Sequence, residues 1–118
     1  MLDIPEYLRS KLVEDISSVY IGSWPPHAPN AIAIRLWDGQ NQEYFGQRTI
    51  FVPTVLFLIR HEEYAPAMGW CKFIKSKFHQ YRSDEIAQMS MRGDILHLGR
   101  NAERLHEFQM MFNIMVRE

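Results

Sequence analysis

The side chains of this sequence with most scope for chemistry are its five histidines, its single cysteine and its adjacent carboxylates. Cys71 with His61 or His79 has the residue types of a thiol nucleophile and its base. Cys71 falls, however, on the apolar stripe of a helical segment, where a thiol behaves as a small buried hydrophobe. His97 and His106 lie on neighbouring strand candidates and would meet across them with two imidazoles for a metal, yet no carboxylate or second cysteine stands at ligand spacing. Glu62-Glu63 and Asp84-Glu85 are paired carboxylates beside helix ends, where adjacent charges serve solvation or the helix macrodipole. Lys72, Lys75, Lys77 and Arg82 offer cations to phosphate, but a helix needs a polar face in any case and no glycine-rich phosphate loop is present. These residues assign no catalytic group, no metal ligand and no cofactor.

The elements that would position these residues follow from periodicity. Asp3 with Pro5 and Glu6 reads as a capped helix start, and Leu8, Leu12, Val13 and Ile16 continue an apolar stripe, predicting a helix over 4–17. Val19 to Gly22 and Ala31 to Trp37 read as short strands, with Asp38-Gly39 as a turn. The polar tract from Asp38 to Arg48, which contains Tyr44-Phe45, reads as an exposed loop. Ile50 to Ile59 is apolar on both alternating faces, as a central covered strand is, with Pro53 interrupting its pairing near the start. Tyr64, Ala67, Cys71, Ile74, Phe78 and Tyr81 recur at helical spacing. From Glu85 the period becomes two: Ala87, Met89 and Met91 oppose Gln88, Ser90 and Arg92, and Arg92-Gly93-Asp94 is read as a turn into Ile95 to Leu98. A last strand places Phe108, Met110, Phe112, Ile114 and Val116 on one face. The predicted fold class is α+β: a mostly antiparallel β-sheet with two helices packed on one face, in the order α-β-β-β-α-β-β-β.

With 118 residues, 47% of them hydrophobic and 23% charged, the chain falls in the range of one globular domain spanning 1–118. Thirteen basic against fourteen acidic residues give a net charge of −1, so no overall field favours nucleic acid or an anionic membrane, and neither is expected as a partner. One cysteine excludes an intrachain disulfide framework, and no apolar run is long enough for a membrane span. No secretion leader is visible, and a reducing cytosol, or a particle assembled there, is the expected setting.

The stretch YIGSWPPHAPNAIAI, from Tyr20 to Ile34, joins two strand candidates through Trp24, Pro25, Pro26 and Pro29. Prolines fix φ, remove donors and hold their predecessors extended, so this connector is stiff and shaped. Taken with the DGQ turn, the apolar PTVLFLIR, the helix start near YAPAM and the closing LGRNAERLHEFQMMFNIMVRE, the ordered set resembles the bacteriophage minor capsid or tail-terminator family. It departs from that pattern in having only Gly39 where a glycine-rich turn follows the second strand, and in its methionine-rich end.

The resemblance implies a non-enzymatic structural virion protein, assembled in the host cytoplasm. It would end the tail tube and join tail to head as a ring of identical subunits, with the tail tube protein and head–tail connector proteins as partners. A ring needs two different complementary patches on each subunit. Trp24, Pro25 and Pro26 are the candidates for one, and Tyr44 and Phe45 for the other. The alternatives are a head-side adaptor of the same joint, or a small ligand-binding or enzymatic module centred on Cys71 and the histidines.

Overall fold

A computed structural model describes residues 3–26, 28–36, 41–45 and 48–116, and side chains outside 41–52. Helix α1 spans Ile4–Leu12, β1 Val19–Ile21, β2 Ala31–Leu36, β3 Asn41–Phe45, β4 Arg48–Val52, β5 Thr54–His61, α2 Tyr64–Phe78, β6 Ile86–Arg100 and β7 His106–Val116. The main sheet runs β1-β2-β5-β7-β6, and β3 and β4 form a separate two-stranded sheet. Among the described residues, only the short β1–β2 pairing is parallel; the other pairings are antiparallel.

The class and layering are those expected: an α+β fold with a mostly antiparallel sheet and two helices on one face. Val55, Phe57 and Ile59 of β5 stand opposite Phe112, Met110 and Phe108 of β7. With Ile32 and Ile34 of β2, they meet Leu8 and Leu12 of α1 and Ala67, Cys71, Ile74 and Phe78 of α2 in one buried cluster. Phe57 is its centre, stacked on Phe78 at 5.7 Å and meeting Phe112 edge-on at 5.3 Å. Both ring geometries are those that the aromatic quadrupole favours.

The distribution of strands around the helices differs from the sequence reading in three places. Asn41–Phe45 is a strand paired with Arg48–Val52, so most of the tract read as a loop is one arm of a hairpin. Its polar composition hid it, because a strand outside the main sheet needs no run of core-facing residues. The Asp38-Gly39 turn and Trp37 lie outside the described residues. Pro53 separates β4 from β5, since it has no N–H to donate to a continuing ladder. Arg92-Gly93-Asp94 does not reverse the chain. Gly93 adopts φ +75°, and the register jumps from Arg92 opposite Met111 to Leu96 opposite Gln109, a bulge within one long strand.

Helix α1 begins as its sequence foretells, with the Asp3 carboxylate accepting from the Glu6 N–H at 3.2 Å and Pro5 in the first turn. It stops at Leu12, short of residue 17, with Val13 as C-cap. Glu14 and Asp15 would oppose the negative end of the macrodipole if the helix continued. Lys77 of α2 instead holds Asp15 at 3.6 Å. Across the same side, the Tyr7 hydroxyl sits 2.9 Å from the Tyr81 hydroxyl and donates to Ser83 Oγ at 2.9 Å. That network ties α1 to the segment that leads into β6.

Burial pushes the Cys71 thiol from 9.0 up to about 12. Burial, with Tyr81 alongside and against the Ser83 hydrogen bond, pushes the Tyr7 phenol from 10.0 to about 12. Both groups are neutral when protonated, and the folded chain holds each proton more tightly than the unfolded one. Their stabilising contribution is complete below the ordinary values and is lost as pH rises from about 9 to about 12. The urea midpoint should therefore fall between about pH 8 and pH 11, and fall less steeply in Cys71→Ala and in Tyr7→Phe. Parallel declines in all three proteins would show that neither group ionises differently on folding.

Candidate interaction surface

The connector is built against the face of the sheet that the helices do not cover. Arg60 follows Ile59 on β5 and therefore points to the opposite face, where it is 6% exposed. Its Nη2 donates to the Pro25 carbonyl at 2.7 Å, and its guanidinium carbon lies 4.7 Å from the centre of the Trp24 ring. Ala31, opposite Arg60 on β2, and Ala33 are fully buried small side chains. The connector thus lies over β2 and β5 where those residues leave it room.

Further contacts fix its ends. Gly22, at φ +84°, donates its N–H to the Ile34 carbonyl at 2.8 Å, and Ala28 donates to the Pro25 carbonyl at 3.1 Å. Glycine reaches that φ without the Cβ clash that other residues meet. The Asn30 side-chain oxygen accepts from the Glu62 N–H at 3.0 Å, tying the connector to the segment between β5 and α2. Pro25, Pro26 and Pro29 remain exposed, while Trp24 is half-buried.

Arg60 is the residue that the sequence reading missed. It was legible in outline, as the one charge before His61 in the apolar run PTVLFLIR, on a strand already read as covered on both faces. Its Nε is buried without a hydrogen-bond partner, and no carboxylate among the described residues pairs with the guanidinium. A buried cation with one carbonyl bond is expensive, and the face of Trp24 supplies part of the compensation.

Of the other aromatic candidates, Tyr44 and Phe45 stand on β3 opposite Thr49 and Arg48. Their side chains lie outside the described residues. The most exposed large apolar side chains among the described residues are Leu96 and Leu98 of β6, at 49% and 58% exposure. They border the irregular half of the strand. A hollow of about 350 Å³ opens there, lined by Arg92, Gly93, Asp94, Leu96, Gln109 and Met111.

The residues considered for catalysis are dispersed. Cys71 is fully buried inside the core cluster. His61 accepts the Glu63 N–H on Nδ1 at 3.0 Å and stands edge-on to Trp70, and His79 accepts the Met91 N–H on Nδ1 at 3.0 Å. Each imidazole thus has its Nδ1 engaged by a backbone N–H. A second hollow, beside His79, is lined by Lys72, Lys75 and Ser76 and does not include Cys71. His97 and His106 do meet across β6 and β7, with Nε2 and Nδ1 3.1 Å apart.

Among solved structures, the fold is similar to that of a chain in the virion of the native gene transfer agent (GTA) particle, with a TM-score of 0.72 and 12% sequence identity. The likeness covers 99% of this chain and 95% of that one. At that identity the likeness is one of fold. No protein-family model matches the sequence, and no curated protein does.

Trp24→Ala should lower folding stability by about 1–3 kcal/mol, below the roughly 3–5 kcal/mol for emptying a fully buried large aromatic site. In a double-mutant cycle with Arg60→Met, about 0.5–2 kcal/mol of that loss should be shared, the range for a cation facing an indole. Denaturant unfolding of the four proteins measures both quantities. Strictly additive losses would mean that the Arg60–Trp24 contact contributes nothing.

Proposed function

We propose that the chain is a structural component of a phage-like virion that ends the tail tube and joins tail to head as a ring of identical subunits. The observation that carries this reading is the likeness of fold, over nearly the whole of both chains, to a chain of a gene transfer agent virion. The ordered resemblance of the sequence to tail-terminator proteins points the same way. Its partners would be further copies of itself, the tail tube protein and the head–tail connector proteins, in the assembled virion. The role asks for surfaces rather than for a reacting group.

A closed ring is made by head-to-tail contacts between two different patches. The exposed edge formed by Pro25, Pro26 and Pro29 supplies one. Trp24 acts from behind it, as a brace held by Arg60, and the fixed backbone lowers the entropy lost on association. The second patch is assigned to Tyr44 and Phe45 on the β3–β4 hairpin.

Light scattering of the purified chain and electron microscopy of tail-bound protein test this reading. A ring is expected, either at high concentration or on tail tubes alone. Strictly monomeric behaviour in both settings would overturn it, and binding to portal-side particles but not to tails would favour the head-side adaptor. Pro25→Ala with Pro26→Ala keeps the carbonyl that Arg60 holds and removes only the ring constraint. The double variant should melt within a few degrees of the parent, because exposed Pro-to-Ala changes act mainly through chain entropy at about 0.4–1 kcal/mol each. It should complete tails more slowly. Normal completion by a normally folded variant would remove the connector from the interface.

A further inference from the structure

At the end of the sheet nearest the start of α2, His61, His97 and His106 lie on the helix-covered face. His61 is opposite His106 across β5 and β7, Arg100 is opposite His106 across β6 and β7, and His97 is opposite Phe108. His97 and His106 sit on a diagonal, normally about 7–8 Å apart between backbones. An extra β6 residue between His97 and Gly99, with Gly99 at φ +97°, bends the strand there and closes that diagonal. The two rings then approach nitrogen to nitrogen at 3.1 Å, with centroids 5.3 Å apart.

We infer that His97 and His106 form a two-imidazole site for a divalent transition metal of the Zn²⁺ or Ni²⁺ class. Two nitrogens each about 2.0–2.1 Å from one metal stand about 2.9 Å apart at a right angle and about 3.3–3.4 Å apart at the tetrahedral angle. The observed separation falls between these two geometries; the contact is a hydrogen bond in the free protein, and a shift of the donor ring's proton to its other nitrogen frees both facing lone pairs for one ion. Imidazole is a preferred ligand for this class of metal, and carboxylate-preferring Mg²⁺ and Ca²⁺ are disfavoured.

The pair is held in place by its surroundings. His97 stacks on Phe108 at 4.6 Å, and the Tyr64 ring stands edge-on to both imidazoles, at 5.2 Å from His97 and 5.7 Å from His106. His97 is exposed, which leaves the site open to solvent. No group of three or more His, Cys, Asp or Glu suited to a metal forms among the described residues. Water fills the remaining positions, and affinity is below that of a closed four-ligand site. Arg100 lowers it further by its charge.

The test is titration of the full chain with ZnCl₂ and with NiCl₂ near pH 7.5, read by calorimetry and by histidine imidazole NMR. Saturable single-site binding tighter than roughly 1 mM is expected, with the His97 and His106 resonances moving first. His97→Gln and His106→Gln should each weaken it by roughly tenfold or more, since even outer-shell changes at metal sites cost about 10–100-fold. His79→Ala should leave it unchanged. The inference is overturned by no saturation below about 1 mM, by unchanged affinity in both glutamine variants, or by movement of other histidines in place of these two. The wild-type resonances decide the matter even where a variant fails to fold.

Discussion

The constraint on which the structure depends is that β5 is buried on both faces. It is the middle strand of β1-β2-β5-β7-β6, so its ladder bonds are taken on both edges and its side chains must be covered above and below. On one side Val55, Phe57 and Ile59 receive the two helices. On the other, Thr54, Leu56 and Arg60 are also buried, with Thr54 Oγ1 donating to Asn113 Oδ1 of β7 at 3.0 Å. A helix covers the first side because its apolar stripe matches a row of large side chains. The second side carries small and polar groups next to β2, and the proline connector covers it instead.

That difference accounts for the proline connector. Strands β1 and β2 are parallel, so the chain must cross over between them, and such crossovers are usually made by a helix. Three prolines within five residues, Pro25, Pro26 and Pro29, leave no room for a helix interior here. The chain crosses as an irregular segment with a turn in which Ala28 donates to the Pro25 carbonyl, and the Arg60 guanidinium, reaching from β5, donates to that same carbonyl. The stiffness of the connector comes from its composition, but its position comes from Arg60 and Trp24. A rigid exposed edge of prolines is the outcome, whatever it meets.

The alternation in β7 and the three- and four-residue spacing in α2 were readable because a single buried face writes its period directly into the sequence. The double burial of β5 was readable for the same reason, as an apolar run on both alternating faces. Irregular backbone was not readable. Gly93 and Gly99 look like turn residues in a sequence, and only the partner strand decides that they make bulges. The β3–β4 hairpin was hidden by polar composition. For the candidate surface, the proline connector was legible, but its bracing by Arg60 was not, since that contact joins positions 25 and 60 through tertiary packing. The same holds for His97 and His106, whose possible meeting was visible while the bulge that closes their separation was not.

The edges of the sheet limit how copies of this chain can associate. An open edge invites another strand to add to it, and long regular edges carry the greatest risk. One edge here is β1, only three residues long. The other is β6, fifteen residues long but broken by register shifts at three places. Each bulge leaves a residue unpaired and turns the local backbone away from the plane that a neighbouring strand would need. Strand addition is therefore a poor route to a ring of such subunits. What remains for the proposed ring is contact through side chains and fixed loops: the proline edge braced by Trp24, and the β3–β4 hairpin that carries Tyr44 and Phe45. The irregularity that obscured β6 in the sequence also denies neighbouring copies a regular edge, leaving side-chain fit to set their relative orientation.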